Sequence, residues 1–410
     1  MFGVFALKRL IVLFLSLILL LSPTVGAAET ETTVSSECDI SDVDVPLSRE
    51  TAVSNIGQTI EIKAKSAILM EPQTGEILYE SNSDEQLPPA SITKIMSLLL
   101  VMEALDRGDF TLETQVSASE HACSMGGSQI WLEPGECMTV HELLKATVIA
   151  SANDACVALG ELIAGSEEAF VALMNKRASE LGMDNTNFVN CTGLDAQGHL
   201  TSAHDVAIMS CELIKHELIK DYSTVWMDSL RDGKSELVNT NKLVRFYKGT
   251  TGLKTGTTST AKYCLSASAL RDGLSLVAVV MAGETSSDRF EGAKKLLDYG
   301  FANYSFSKIK AELKETETVI NGGVEPTVKI TAEDTVNILL PKSAKGDIKR
   351  TTQWNKDIQA PIKKGDILGY VNVFSGQEQI GRIPIKANED VEKMTFWVCM
   401  SEILKGLFKL

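Results

Sequence analysis

The 410-residue chain has no Cys-x-x-Cys pair, no His-Glu-x-x-His segment and no cluster of Cys with His; its five histidines lie apart. Zinc sites are built from such spacings, so no metal centre is expected. There is also no long basic run. Asp and Glu (54) outnumber Lys and Arg (39) for a net charge of −15, which argues against nucleic acid as a partner. Eight cysteines stand at positions 38, 123, 137, 156, 191, 211, 264 and 399. A chain this long does not depend on disulfides, and several sit in apolar context, such as Cys156 in "NDACVALGELIA". Most are expected to be small buried hydrophobes, with pairing left open. Hydrophobic residues at 44% and charged residues at 23% are globular values, and the length suits two or three domains.

The N-terminus is different in kind. Lys8 and Arg9 precede an apolar run from Leu10 to Leu21, Ser22-Pro23 interrupts it, and "VGAA" (25–28) offers small residues for cleavage. This is the three-part form of a secretory signal over 1–28, and the run is short for a membrane span. The segment holds two basic and no acidic residues, so its removal takes the net charge from −15 to −17. The expected place of work is the outer face of the cytoplasmic membrane. Residues 29–57 are rich in Thr, Ser, Glu and Asp and predict a polar leader.

From about residue 58 the pattern becomes structured. "AKSAILMEP" and "GEILYES" predict a hairpin. Helical periodicity marks 91–106, a segment near 139–150, "DACVALGELIA", "EAFVALMNKRASELGM", "LTSAHDVAIMSCELIKH" with Ser202 as its cap, and "DRFEGAKKLLDYGFANY". Two strands surround Arg271-Asp272-Gly273, a strong hairpin signal. Alternating segments over 304–389 predict a small all-β domain after a catalytic domain at 58–303. The last stretch, 390–410, places Trp397, Phe396, Ile403, Leu404 and Phe408 between polar residues near helical period. It predicts an amphipathic helix that lies on a membrane surface.

Chemistry is carried by three short motifs. Ser-x-x-Lys occurs four times, at Ser91/Lys94, Ser259/Lys262, Ser305/Lys308 and Ser307/Lys310. Only Ser91 opens a long apolar helix, where a lysine three residues on shares its face and can reach the hydroxyl. The plain structural reading is a serine cap followed by a snorkelling lysine, and this stretch alone does not separate the two. Ser151-Ala152-Asn153 and Lys254-Thr255-Gly256 follow in order, 60 and 103 residues further along. Each alone reads as a turn or a strand; the ordered triple is the signature of serine acyl-transfer enzymes that react with penicillin.

With these motifs, and with "GGSQIWLEPGE", "FVNCTGLDAQGHLTSAHDVA" and "AKKLLDYGF", the chain resembles low-molecular-mass penicillin-binding proteins, the serine-type D-alanyl-D-alanine carboxypeptidases of the peptidase S11 family. The resemblance covers nearly the whole chain. It implies an α/β (α+β) catalytic domain of the β-lactamase/transpeptidase type with a central antiparallel sheet flanked by helices. A C-terminal all-β domain and the terminal amphipathic helix would follow. Ser91 would be the nucleophile, Lys94 its base and Ser151 a proton relay. Asn153 would hold a substrate carbonyl, the backbone N–H groups of Ser91 and Thr257 would form the oxyanion hole, and Gly256 would be among the substrate-binding residues. Lys254, Thr255 and Arg289 would bind the terminal carboxylate. Lys94 must be neutral to accept a proton, and burial together with Lys254 as a second cation would lower its pKa. The partners implied are the peptidoglycan stem pentapeptide, β-lactam antibiotics and a membrane surface, with no cofactor. Ala152 stands where the signature has Asp. Within the same chemistry, a β-lactamase would need a deacylating acid, for which Glu161 and Glu180 are the candidates in 160–190. A DD-endopeptidase or transpeptidase would differ in the acceptor.

Overall fold

The computed structural model describes residues 60–408 except 334 and 344–347. The expected signal segment and polar leader lie outside the described residues. Five antiparallel strands form the central sheet: β1 (Ser66–Met70), β2 (Ile77–Ser81), β3 (Thr250–Thr258), β4 (Lys262–Arg271) and β5 (Leu274–Gly283), in the order β2-β1-β5-β4-β3. The motif strand β3 is therefore an edge strand. Strands β4 and β5 are joined at Asp272-Gly273, as the hairpin signal predicts, with Arg271 opposite Leu274.

Strand side chains alternate between faces. Ile68, Met70, Val277, Val279 and Met281 join one core with the helices α1 (Lys94–Arg107), α2 (Asn153–Ala164), α3 (Glu167–Glu180) and α4 (Ala203–Leu213). Leu69, Leu276, Ala278 and Val280 point the other way, against Phe290, Ala293, Leu296 and Leu297 of α5 (Ser286–Asn303). Burial on both faces explains why β5 reads as an almost unbroken apolar run rather than an alternating one. Ser202 caps α4 through the Asp205 N–H, as expected.

Helix α1 runs through the core, and every residue from Lys94 to Met102 is buried. A helix apolar all round belongs inside a domain. The structure corrects one expectation here: the α-helix does not begin at Ser91. Residues Ala90–Thr93 form a 3₁₀ turn, and Lys94 is the first α-helical residue. Likewise, the helix expected near 139–150 is α-helical only over Val140–Lys145 and widens to a π-type turn over Ala146–Ala150. Such widenings often mark functional positions.

Strand Tyr304–Lys310 follows α5 directly and pairs with Thr335–Pro341. Tyr304 and Leu339 pack into the core under α5, which ties the C-terminal domain to the catalytic one. That domain is all-β, with a five-stranded sheet and its own core of Val328, Val371, Val373, Ile383 and Ile385. A final helix, α6, spans Phe396–Phe408 and leaves Phe396, Trp397, Ile403 and Leu404 exposed. Among the described residues no helix is long and apolar enough to cross a membrane. The seven described cysteines are free thiols; Cys156, Cys191, Cys211 and Cys264 are buried, as expected of small hydrophobes.

Candidate active site

Ser91 stands in the 3₁₀ turn, and what surrounds that turn decides where its hydroxyl points. Ala90 adopts a left-handed conformation (φ 49°), which L-residues avoid unless neighbours hold them there. Thr93 Oγ1 donates to Ala90 O at 2.9 Å. Its oxygen in turn accepts from His199 Nε2 at 2.8 Å, while His199 Nδ1 accepts from the Val189 N–H at 2.9 Å. These partners define the neutral Nε2–H tautomer. Burial agrees, lowering the His199 pKa to about 4. His199 lies inside a stretch quoted for the family resemblance, but nothing in the motif spacing assigns it this supporting part.

Two glycines admit backbone on either side of the turn. A Cβ on Gly256 of β3 would lie 2.8 Å from Pro89 O and 3.1 Å from Ile92 N. A Cβ on Gly193 would fall 1.8 Å from Ala90 O. The glycine of Lys-Thr-Gly is thus a contact requirement: only a residue without a side chain lets β3 press against the serine turn.

Lys94 is 0% exposed. Its Nζ lies 3.2 Å from Ser91 Oγ, 2.5 Å from Asn153 Oδ1 and 2.7 Å from Thr192 O. Asn153 Nδ2 donates to Gly126 O and the Asn153 N–H to Ser128 O, so its amide oxygen faces the lysine. With the amine neutral, two N–H groups serve Asn153 and Thr192, and its lone pair is left for the Ser91 O–H. Burial lowers the pKa of Lys94, opposed by nearby Cys156, Cys191 and Asp154. Lys254 is also buried, and its pKa falls well below the ordinary lysine value, through burial first and then the charges of Lys94 and Arg289. Burial is the leading cause at both lysines; Lys254 is not among the groups that shift Lys94, so the expected lowering of Lys94 by a second cation is carried by burial instead.

The other expected residues gather here too. Ser151 is buried in a left-handed conformation (φ 63°) with its hydroxyl unpartnered among the described residues. Lys254 Nζ donates to Thr255 O at 3.1 Å, and Thr255 Oγ1 to Thr240 Oγ1 at 2.7 Å. Arg289 is buried rather than an exposed helix arginine. It donates to Gly256 O at 3.0 Å and Thr257 Oγ1 at 2.8 Å and so braces β3. Asp154, beside Asn153, is fully buried and accepts from the N–H groups of Ile130 and Leu132, which fixes the loop at the rim of the site. The two acids that a lactamase reading would need are elsewhere. Glu180 pairs with Lys176 and Arg177 on the surface of α3, and Glu161 lies near His121.

This constellation sets a serine hydroxyl beside a buried lysine amine, with a second buried lysine on an edge strand, an arrangement suited to the chemistry of an acyl-transfer hydrolase. The D-alanyl-D-alanine carboxypeptidase model of peptidase S11 matches residues 50–285, and the penicillin-binding protein 5 C-terminal domain model matches 305–393. The chain belongs to the peptidase S11 family of D-alanyl-D-alanine carboxypeptidases. It is 46% identical over 342 residues to D-alanyl-D-alanine carboxypeptidase DacF of Bacillus subtilis, covering 82% of this chain and 87% of that protein. It is 33% identical to DacC of Escherichia coli, covering 83% and 88%. Penicillin-binding protein 5 of Haemophilus influenzae superposes with a TM-score of 0.75 at 31% identity, over 82% of this chain and 99% of that one. An ampicillin-bound penicillin-binding protein D2 of Listeria monocytogenes superposes at 0.55 and 30% identity, covering 60% and 100%.

Two outcomes follow from the geometry. Gly193→Ala drives a methyl group into Ala90 O and displaces the serine turn; a misplacement of about 1 Å costs on the order of 100-fold. Acylation by a fluorescent penicillin should fall by about that factor. For Lys94, a depressed pKa means the neutral amine persists below the ordinary value of about 10.4. The acylation rate should therefore rise with pH through a midpoint below that value. NMR of labelled lysine side chains should read the lowered Lys94 value directly.

Proposed function

We propose that Ser91 Oγ attacks the carbonyl carbon between two D-alanines while Lys94 Nζ accepts its proton. The chain is a serine-type D-alanyl-D-alanine carboxypeptidase. The observation that carries the residue assignment is the 3.2 Å approach of Ser91 Oγ to an amine with no solvent exposure. The tetrahedral oxyanion is assigned to the backbone N–H groups of Ser91 and Thr257; each such donor contributes on the order of 3 kcal/mol. Collapse expels D-alanine, whose nitrogen takes the proton back through Ser151, a buried hydroxyl with no resting partner among the described residues. Asn153 holds a peptide carbonyl through its remaining N–H. Lys254 and Thr255 receive the terminal carboxylate, a charge-assisted contact that an internal peptide bond cannot make. Arg289 acts through Gly256 and Thr257 as a positioning residue. Water then hydrolyses the Ser91 ester. Penicillin, a mimic of the dipeptide, acylates the same hydroxyl.

We further infer the setting. Residues 1–28 export the chain, 29–57 form a leader, the catalytic domain spans 58–303 and the β domain 304–389. The segment 390–410 attaches the protein to the outer face of the cytoplasmic membrane. The exposed Trp397 (78%) and Phe396 (70%) support this, because aromatic rings on a short amphipathic helix favour the lipid interface.

The wild-type protein should release free D-alanine from pentapeptide without cross-linked dimer, and show a stoichiometric burst with penicillin followed by slow release. Ser91→Ala should abolish both; labelling that persists would show the serine to be misassigned. Vesicle flotation tests attachment: the mature chain should float with anionic vesicles, and a chain ending at residue 395 should remain at the bottom of the gradient.

A further inference from the structure

Beside the Ser91 turn lies a cavity of about 300 Å³ that the reaction just described leaves unused. Pro89, Ala90, Gly193, Asp195, His199 and Thr260 are among the residues that line it. It is continuous with the catalytic turn, since Ala90 precedes Ser91 and Gly193 follows Thr192, whose carbonyl holds Lys94. Asp195 is the only charged residue among its lining residues. Its two carboxylate oxygens accept from Thr258 Oγ1 at 2.7 Å and Thr260 Oγ1 at 3.0 Å, both at the exit of β3. Two hydroxyls fix the carboxylate in place without neutralising it, and no Lys or Arg pairs with it among the described residues. His199 does not supply a countercharge, because it is held as the neutral tautomer. The cavity therefore carries one uncompensated, oriented negative charge.

Direction along β3 says which part of a substrate arrives there. With the terminal carboxylate at Lys254-Thr255 and the scissile carbonyl at Thr257, an extended peptide advances about 3.3 Å per residue along the strand. The residue before the two D-alanines then lies beside Thr258–Thr260 and the cavity mouth. Stem peptides of peptidoglycan carry a diamino acid at that point. We propose that this cavity, with Asp195 in its lining, is the subsite for the diamino acid side chain and that Asp195 pairs with its free ammonium. The inference rests on the carboxypeptidase reading and deepens it: Asp195 sets which acyl donor is preferred.

The test compares Nα-acetyl-L-Lys-D-Ala-D-Ala with the Nα,Nε-diacetyl tripeptide, in which an acetyl group removes the side-chain charge; the salt dependence of the ratio separates charge from the added bulk. Ion pairs at partly exposed sites are modest. The free-amine substrate should therefore have a kcat/KM about five-fold higher at pH 7, and the ratio should shrink as salt is raised. Asp195→Asn keeps an acceptor for the two threonines and should bring the ratio to about one. Labelling by fluorescent penicillin checks that the variant is folded; should it not fold, the wild-type ratio and its salt dependence decide alone. Equal kcat/KM for the two tripeptides in the wild type overturns this inference and leaves the carboxypeptidase reading standing, as does a ratio unchanged in folded Asp195→Asn. Release of D-alanine from neither tripeptide overturns both.

Discussion

An amine buried at the first turn of a helix with no exposed face is the constraint on which this site depends. Lys94 cannot turn to water, because the residues around it in α1 pack into the core on every side. Its nitrogen must find partners inside the protein, and it finds them in Ser91 one turn back and on two segments distant in sequence, at Asn153 and Thr192. A buried ammonium without such partners is strongly unfavourable, and even with them the neutral form gains. The same burial that makes the charged lysine costly favours the neutral amine, the form able to accept a proton.

The partners are themselves held. Asn153 is locked by Gly126 and Ser128, and Thr192 lies in a turn that Asn190 Oδ1 shapes by accepting the N–H groups of Thr192 and Gly193. Ser97, the next polar residue of α1, donates to Cys191 O and fastens the same turn to the helix. Gly193 and Gly256 let backbone close on the Ser91 turn from two sides. The Ser91 turn is thus positioned by packed main chain, a preorganised arrangement that costs no reorganisation where charge develops beside it. Strained positions at Ala90 and Ser151 fit this picture, since such conformations persist where neighbours over-determine them.

The wider architecture serves access. Strand β3 is the sheet edge, so an extended peptide can lie along it while Arg289 braces it from within. The β domain joins the catalytic core through Tyr304 and Leu339, and helix α6 beyond it leaves Phe396 and Trp397 exposed.

Much of this was legible beforehand because it is local. The alternation in β1, the Asp272-Gly273 turn, the Ser202 cap and the apolar span of α1 are set by neighbours a few residues apart, which spacing reports directly. The three motifs could be found because residue type and order survive in one dimension. What spacing does not carry is contact between distant segments. Nothing local says that His199 supports Thr93, that Thr192 contributes a carbonyl rather than its side chain, or that Arg289 is buried. Whether Ser91 was a helix cap or a nucleophile was equally undecidable, since both need the same residue at the same place. The tertiary structure decided where the Lys94 amine points, by bringing Asn153 and Thr192 to one side of it, because the direction of a buried amine depends on which acceptors the folded chain leaves around it.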